Sequence, residues 1–282
     1  MKVAKSLQDT ITLHNGQSMP QLGLGVYKMT DEIEANFAIQ SALKIGYRLI
    51  DTASLYENEQ VVGAAVKESD VSREEIFITS KVWNSDQGYD HTLRAFEESL
   101  KKLQTDYMDL YLIHWPGKDS QYKDTWRALE RLYNEGTVKA IGVCNFQVHH
   151  LKELMASSNE KPVINQVENH PMLTQEELRT YCRENDIVIE AWAPIARNQL
   201  ANEPVLTHLA RKHGKSVSQV ILRWHLQNGT VIIPKSVNRD RIRENSEIFD
   251  FELSQEEMNR ISGLNKDERL GPNPDEFFKD FK

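Results

Sequence analysis

Four residues of different chemistry stand at or just beyond the ends of apolar runs in this chain: Asp51, Tyr56, Lys81 and His114. A phenol such as Tyr56 becomes a usable proton donor when a nearby cation stabilises its phenolate. Lys81 could supply that cation, Asp51 could hold it in place, and His114 could bind the oxygen that receives the proton. Together these groups could deliver a proton to a carbonyl oxygen near neutral pH, which is what carbonyl reduction requires.

Each of these residues taken alone also has a structural explanation. A buried Asp–Lys pair can be an ion pair of the core, a single Tyr is commonly part of an amphipathic core, and a His at a strand end is usually a satisfied hydrogen-bonding group. Their combination at strand ends is what predicts a functional site.

The runs that carry these residues have the length and composition of buried strands. They are short, apolar and rich in β-branched or aromatic residues. Eight runs are spaced along the chain, at 22–25, 48–51, 76–81, 108–114, 138–145, 163–168, 188–192 and 231–234. Most are followed by segments of helical periodicity, at 32–45, 89–103, 123–135, 148–157, 175–185, 205–214 and 217–228. This alternation predicts an α/β fold, a (β/α)8 TIM barrel.

We predict one domain over residues 1–282. Barrels occupy roughly 250 residues as one unit, and no linker interrupts the alternation here. The expected additions are an N-terminal β-hairpin that begins at residues 10–13 and turns at Asn15 and Gly16, and extra C-terminal helices with a tail after Leu264.

Composition excludes several classes of function. The formal net charge of -8 argues against nucleic-acid binding, which requires an excess of clustered Lys and Arg. The N-terminus lacks the apolar core of a signal peptide and no later segment resembles a membrane span, so we expect a cytoplasmic protein. Its two cysteines, Cys144 and Cys182, fit a reducing compartment. We expect a monomer that acts on a small-molecule carbonyl compound.

Metal binding is not expected. His149 and His150 are adjacent at a helix start, and His208 and His213 have the spacing neither of one helix face nor of an H-E-x-x-H site. The proposed chemistry also needs no ion.

Several segments, in matching order over about the whole chain, resemble the aldo-keto reductases. They are GLGVYK at 23–28, DTASLY at 51–56 followed by Asn58 and Glu59, SKVW at 80–83, IHWP at 113–116, GVCNF at 142–146, Gln166, and IPKS at 233–236. The similarity is greatest to the bacterial 2,5-diketo-D-gluconate reductases and glyoxal or methylglyoxal reductases. It implies NADPH-dependent reduction of aldehydes and ketones, such as small dicarbonyls or keto-sugars.

The resemblance also assigns roles to the four residues. Tyr56 would be the general acid that protonates the carbonyl oxygen as hydride arrives from the nicotinamide. A free phenol, with a pKa of about 10, is a weak acid, but Lys81 would stabilise the phenolate. Asp51 would hold Lys81 in position. His114 would bind and polarise the carbonyl oxygen.

NADPH is the implied cofactor, and three groups of residues would bind it. The nicotinamide would lie against Cys144, Asn145, Gln166 and Trp192, the pyrophosphate near Ala193, and the 2′-phosphate and adenine near Lys235, Ser236, Val237, Arg241, Glu244 and Asn245. A lysine beyond the last barrel strand and a helix N-terminus also form a ready anion site on physical grounds.

Three positions depart from the family pattern. Cys144 and Ala193 each replace a usual Ser, which weakens contacts to the cofactor, and Asn169 replaces a usual aromatic residue, which makes its neighbourhood more polar. The proton-transfer group is unaffected.

Aromatic side chains near the strand ends are expected to line the substrate pocket. The candidates are Tyr27, Trp83, His114 and Trp115, with Asn169, Phe277 and Phe278 as looser ones. The connections at 117–122 and 195–204 are short, which predicts an open and poorly discriminating mouth.

Two other functions remain open on the sequence. Lys81 at a strand end could form the Schiff base of an aldolase, which borohydride trapping would reveal. A non-catalytic NADPH-binding relative is the second alternative, and it would bind cofactor without turning over any aldehyde.

Overall fold

The computed structural model describes residues 3–118 and 120–277, and this part of the chain contains ten β-strands. They are β1 Thr10–Thr12, β2 Ser18–Pro20, β3 Leu24–Gly25, β4 Leu49–Asp51, β5 Phe77–Val82, β6 Leu110–Ile113, β7 Ile141–Cys144, β8 Ile164–Glu168, β9 Val188–Trp192 and β10 Val231–Ile232.

Strands β3 to β10 form the predicted barrel. Each pairs in parallel with the next along the chain, in the order β3 to β10. Parallel bridges join Leu22 to Ile232 and Gly25 to Lys235, so the first and last of these strands are neighbours and the sheet closes. The prediction of a (β/α)8 barrel is confirmed, and the carboxyl ends of all eight strands lie at one rim.

Helices follow the strands as expected. They are α1 Glu32–Ile45, α2 Glu59–Glu68, α3 Tyr89–Leu103, α4 Tyr122–Asn134, α5 Val148–Met155, α6 Glu176–Glu184, α7 Pro204–His213, α8 Val217–Gln227, α9 Arg239–Ser246 and α10 Gln255–Ser262. Local signals set their ends: the Asp31 side chain accepts from the Glu34 amide to start α1, and Gly46 stops it with a left-handed φ of 116°. Among the described residues, none of the helices combines the length and apolar character needed to cross a bilayer.

The sequence patterns do not predict helix α2, and the glycine within it explains why. Gly63 lies in the middle of this helix, where glycine weakens the helical signal. A β-carbon at Gly63 would lie only 2.5 Å from the backbone oxygen of Leu103, at the end of α3. The glycine is therefore required by close helix packing, which the local sequence does not reveal.

The predicted N-terminal hairpin is present as β1 and β2, paired from Thr10 and Pro20 inward. Its buried side chains Ile11, Leu13 and Met19 pack in one cluster with Leu49 and Leu110. Those two leucines begin β4 and β6. The hairpin thus closes the amino-terminal end of the barrel and leaves the opposite rim for a site.

Candidate active site

Asp51, Tyr56, Lys81 and His114 meet at the carboxyl ends of three adjacent strands. Asp51 ends β4, Lys81 is the penultimate residue of β5, and His114 directly follows β6. The parallel register of these strands brings their ends together. Tyr56 enters from a short 3-10 helix, Ser54–Tyr56, just after β4.

The ammonium of Lys81 is surrounded by three acceptors. Its Nζ lies 2.6 Å from Asp51 Oδ1, 2.8 Å from the backbone oxygen of Thr52 and 3.4 Å from the Tyr56 hydroxyl. Burial lowers the pKa of Lys81, but the charge and hydrogen bond of Asp51, together with the charges that Tyr56 and Cys144 carry when ionised, raise the pKa above its ordinary value. Lys81 is therefore a buried cation with all three N–H groups in use.

Tyr56 keeps its proton in the resting structure. Burial raises the pKa of Tyr56, and the charge of Lys81 lowers it without cancelling that effect. Desolvation of the phenolate thus outweighs its attraction to Lys81 across 3.4 Å in the resting site. The site holds a neutral phenol whose conjugate base would form beside a cation.

His114 is an uncharged imidazole here. Burial, and then the charge of Lys81, lower the pKa of His114 well below its ordinary value. Its ring packs edge-on against Tyr56 and Trp83, at centroid distances of 5.6 and 5.0 Å. A neutral imidazole can donate one hydrogen bond without acting as a strong acid, which suits it to bind a carbonyl oxygen.

Asn145 and Trp192 extend the site along the rim. Asn145 follows β7 with a left-handed φ of 61°. Its Oδ1 accepts from Trp192 Nε1 at 2.8 Å, and its Nδ2 donates to the backbone oxygen of His114 at 3.0 Å. One carboxamide therefore connects the indole of Trp192 to the backbone of His114.

Gln166 connects this region to the ion pair. Its Nε2 donates to Asp51 Oδ2 at 2.7 Å and to Glu190 Oε2 at 2.8 Å. Asp51 thereby accepts from Lys81 on one oxygen and from Gln166 on the other.

Comparisons with known proteins identify the family of this chain. The model of the Aldo/keto reductase family matches residues 21–266. The chain is 63% identical over 271 residues to a glyoxal reductase of Bacillus subtilis, an alignment that covers 96% of this chain and 98% of the relative. It is 47% identical over 270 residues to methylglyoxal reductase DkgA of Escherichia coli, with 95% and 97% of the two chains covered.

The chain belongs to the aldo/keto reductase family. Among solved structures, a mutant of Gox0644 crystallised in complex with NADPH superposes with a TM-score of 0.91 at 43% identity, covering 95% of this chain and 98% of that one. The suspected resemblance to reductases of glyoxal and methylglyoxal is confirmed.

In this aldo/keto reductase, the expected phosphate site lies directly beyond β10. Lys235 follows the strand, and Asn238 caps α9 by accepting from the backbone amides of Asp240 and Arg241 at 2.9 and 3.0 Å. Lys235 and Arg241 are both exposed, and neither forms an ion pair within the described ranges. Two exposed cations at a helix N-terminus favour an anion.

The other residues predicted near the 2′-phosphate and adenine are less accessible. Ser236 is 7% exposed, and its hydroxyl accepts from the Asn238 amide at 3.2 Å. Asn245 is also 7% exposed, whereas Val237 and Glu244 are half-buried. The Ser236 hydroxyl also donates to the backbone oxygen of Asn238 at 3.4 Å, and it would have to give up this donated bond to donate to a phosphate.

Cys144 does not fit its predicted contact with the cofactor. The residue has no exposed surface and packs in the inner cluster of the barrel with Leu112 and Ile164. Burial also raises the pKa of its thiol well above the ordinary value. Ala193 remains accessible, half-buried after β9 with a left-handed φ of 50°.

The aromatic side chains that were predicted to line a substrate pocket are mostly buried. Trp83 and Trp115 are 4% and 7% exposed, and Phe277 of the C-terminal tail packs on Trp115 with ring centroids 4.3 Å apart. Tyr27, 49% exposed, lies 5.0 Å from the Tyr56 ring. Short barrel loops therefore do not leave an open mouth, because the tail lies across it.

Asn169 does not contribute to this group of side chains. It has no exposed surface, and its Nδ2 donates to the backbone oxygen of Thr174 at 2.9 Å. Phe278, the other looser candidate, lies outside the described residues.

Glu168 fastens the tail, and no prediction identified it. This wholly buried residue ends β8. Its Oε1 accepts a hydrogen bond from the Leu270 amide at 2.6 Å and lies 2.9 Å from His170 Nε2. Its Oε2 accepts a hydrogen bond from the Gly271 amide at 3.0 Å. A β-carbon on Gly271 would approach the Trp192 ring to 2.5 Å. The only sequence signal was an acidic residue at a strand end followed closely by His170.

Among the residues that the structure describes, one group of metal-ligand type lies at the surface. Nε2 of His149 and of His150 lie 3.2 and 3.7 Å from Asp275 Oδ1. However, His150 Nδ1 accepts from the Gln147 amide, which leaves the proton of a neutral ring on Nε2. His150 would have to give up this helix cap to bind a metal through Nε2.

Proposed function

We propose that this chain reduces aldehydes and ketones to alcohols with NADPH, with Tyr56 as the general acid and small dicarbonyl compounds among its substrates. The observation that carries the proposal is the Lys81 ammonium, held by Asp51 at 2.6 Å and directed at the Tyr56 hydroxyl at 3.4 Å. Relatives named as reductases of glyoxal and methylglyoxal support the choice of substrate class.

The residues at the rim fit NADPH. Within residues 3–118 and 120–277, no donor bonds the Gln166 side-chain oxygen, which can therefore accept from the nicotinamide carboxamide. Trp192 offers a half-buried ring, and the cations of Lys235 and Arg241 suit a 2′-phosphate. A related structure that contains NADPH bears out this cofactor. When bound, NADPH supplies the hydride that reduces the carbonyl carbon.

The protein groups then handle the oxygen. His114 donates a hydrogen bond to the carbonyl oxygen and polarises it, which its neutral state permits. Tyr56 transfers its proton to that oxygen as negative charge develops, so the product is the alcohol and the residue becomes a phenolate. Lys81 stabilises the phenolate and Asp51 keeps Lys81 in place.

An aldolase function is not supported by this site. A Schiff-base lysine must lose its proton to attack a carbonyl carbon. Lys81 is instead a buried cation with its three hydrogens bonded, and its pKa is raised. Aldehyde turnover would in turn exclude the second alternative, a binding protein without activity.

Substitution of Tyr56 by Phe tests the assignment. Tyr56→Phe removes the proton donor and keeps the ring, and loss of a general acid typically costs about 10²–10⁴ in rate. We expect turnover of methylglyoxal at saturating NADPH to fall by that factor and the Kd of NADPH to stay the same. Undiminished turnover would show that another group donates the proton.

A substrate panel tests the substrate class. NADPH oxidation should be measured with dicarbonyls, simple aldehydes and keto-sugars under identical conditions. Turnover of the other compounds without turnover of glyoxal or methylglyoxal would contradict the proposed substrate class while leaving the reaction type intact.

A further inference from the structure

A buried carboxyl group lies directly behind Gln166, and the mechanism above does not use it. Glu190 is the central residue of β9 and pairs in register with Gln166 of β8. It has no exposed surface, and its Oε2 accepts from Gln166 Nε2 at 2.8 Å. Its Oε1 is buried without a hydrogen-bond partner among the described residues. Such a group is costly in a core, and apolar packing alone would favour an aliphatic residue here.

The carboxamide of Gln166 is fixed from two sides. Its single nitrogen donates to Asp51 Oδ2 at 2.7 Å and to Glu190 Oε2 at 2.8 Å, so both amide hydrogens are used. The flipped amide would place its oxygen against Asp51 Oδ2, a carboxylate oxygen that can only accept. Asp51 therefore excludes the flipped amide, and Glu190 accepts the second amide hydrogen and holds the carboxamide in this orientation.

We propose that Glu190 is a positioning residue for the cofactor, which acts with Asp51 to hold Gln166 so that only the Gln166 oxygen faces the nicotinamide carboxamide. This inference rests on the proposed function, because it assumes that NADPH binds at this rim. An amide oxygen held there selects the NH2 group of the nicotinamide carboxamide as its donor. The choice fixes which way the carboxamide points.

The charge of Glu190 adds a second property. Burial, and then the negative charge of Asp51, raise its pKa to about 8. The titratable groups that face it are Asp51 on β4, Lys81 on β5 and Cys144 on β7, and β10 places the apolar Val231 opposite it. Below this pH the acid is neutral and the Asp51–Lys81 pair stays balanced. Above it, an added negative charge favours the cationic ring of NADP+ over the neutral ring of NADPH.

Two substitutions separate positioning from packing. Glu190→Gln keeps an oxygen that can accept from Gln166, whereas Glu190→Leu has similar volume and no acceptor. Titration of tryptophan fluorescence with NADPH should give a Kd for Glu190→Gln within about twofold of wild type and one for Glu190→Leu about tenfold higher, because one Gln166 hydrogen loses its partner. Val188→Ala, two residues earlier on β9, is the packing control: it should lower Tm and leave Kd unchanged.

The same titrations at about pH 7 and about pH 9 measure a pH dependence of cofactor affinity that a change in packing alone would not alter. The wild-type ratio of Kd for NADP+ to Kd for NADPH should fall as pH rises, and in Glu190→Gln it should stay constant. If Glu190→Leu fails to fold, this comparison alone decides. A wild-type ratio that does not change with pH, an equal fall in both proteins, or a Kd for folded Glu190→Leu equal to wild type would overturn the inference while the proposed function stands. Absence of NADPH binding by wild-type protein would overturn both.

Discussion

Removal of the Glu168 carboxylate should detach the C-terminal tail without unfolding the barrel. Each of its oxygens accepts one backbone amide of the tail, from Leu270 at 2.6 Å and from Gly271 at 3.0 Å. In Glu168→Gln, one oxygen becomes an NH2 group that faces a donor, so at least one charge-assisted bond is lost. Such a bond is worth about 1.5–3 kcal/mol, which corresponds to an increase of about 10- to 150-fold in local opening.

Hydrogen exchange reports that opening directly. We expect the amides of Leu270 and Gly271 to exchange faster in Glu168→Gln by about this factor, and amides of the barrel strands to be unaffected. Glu268→Gln, at an exposed position of the same tail, is the matched control. Because Phe277 farther along the tail packs on Trp115, the KM for an aldehyde should rise as well.

The pH dependence of this contact has a definite sign. Burial raises the pKa of Glu168, but hydrogen bonds from His170 and from the amides of Leu270 and Gly271 outweigh burial and lower the pKa below its usual value. A lowered carboxyl pKa stabilises the fold above the pKa of the unfolded chain, and that contribution is lost only as pH falls through the folded value. The tail should therefore stay attached at neutral and alkaline pH.

The exchange experiment decides whether Glu168 holds the tail. An unchanged rate of hydrogen exchange at the Leu270 amide in Glu168→Gln would refute this role.

Two further predictions concern the cofactor. Neutralisation of both Lys235 and Arg241 should remove most of the preference for NADPH over NADH, because charge-assisted hydrogen bonds to the 2′-phosphate are lost. Equal Kd values of the wild-type protein for the two cofactors would show that these cations contact solvent only. Ala193→Ser should tighten NADPH by roughly tenfold or less, since a hydroxyl can donate to the charged pyrophosphate, and bridging water would reduce the gain. Ala193→Gly is its control, because it relieves the left-handed φ of 50° without adding a donor.

The four residues of the candidate site could be found from sequence because each lies at or just beyond the end of a buried run. A polar residue at the end of a short apolar strand is a local signal, and a parallel barrel brings all such ends to one rim. The bounds of α1 and α3 were also predictable, since Asp31 and Gly46 mark the ends of α1 in the chain itself. The roles of the site residues and the monomeric state stay predictions.

The parts that sequence did not reveal depend on distant partners. Glu190 interrupts the apolar run of β9, which is a signal that it faces a polar group, but its partner Gln166 lies on another strand. Glu168 bonds backbone amides of Leu270 and Gly271, whose side chains carry no sign of the contact. The resting pKa of Tyr56 depends on desolvation, which only the packed site determines.

On the proposed mechanism, the buried charges explain why each group must have the protonation state that the structure gives it. Before reaction, Lys81 and Asp51 cancel, and Tyr56 and His114 are neutral. Hydride arrival adds one negative charge to the oxygen, and proton transfer moves that charge to the phenolate, 3.4 Å from the ammonium. A neutral Lys81 would leave the phenolate uncompensated in a low dielectric. A protonated His114 would instead compete with Tyr56 as the acid and place a second cation beside Lys81, which is the state that its lowered pKa excludes.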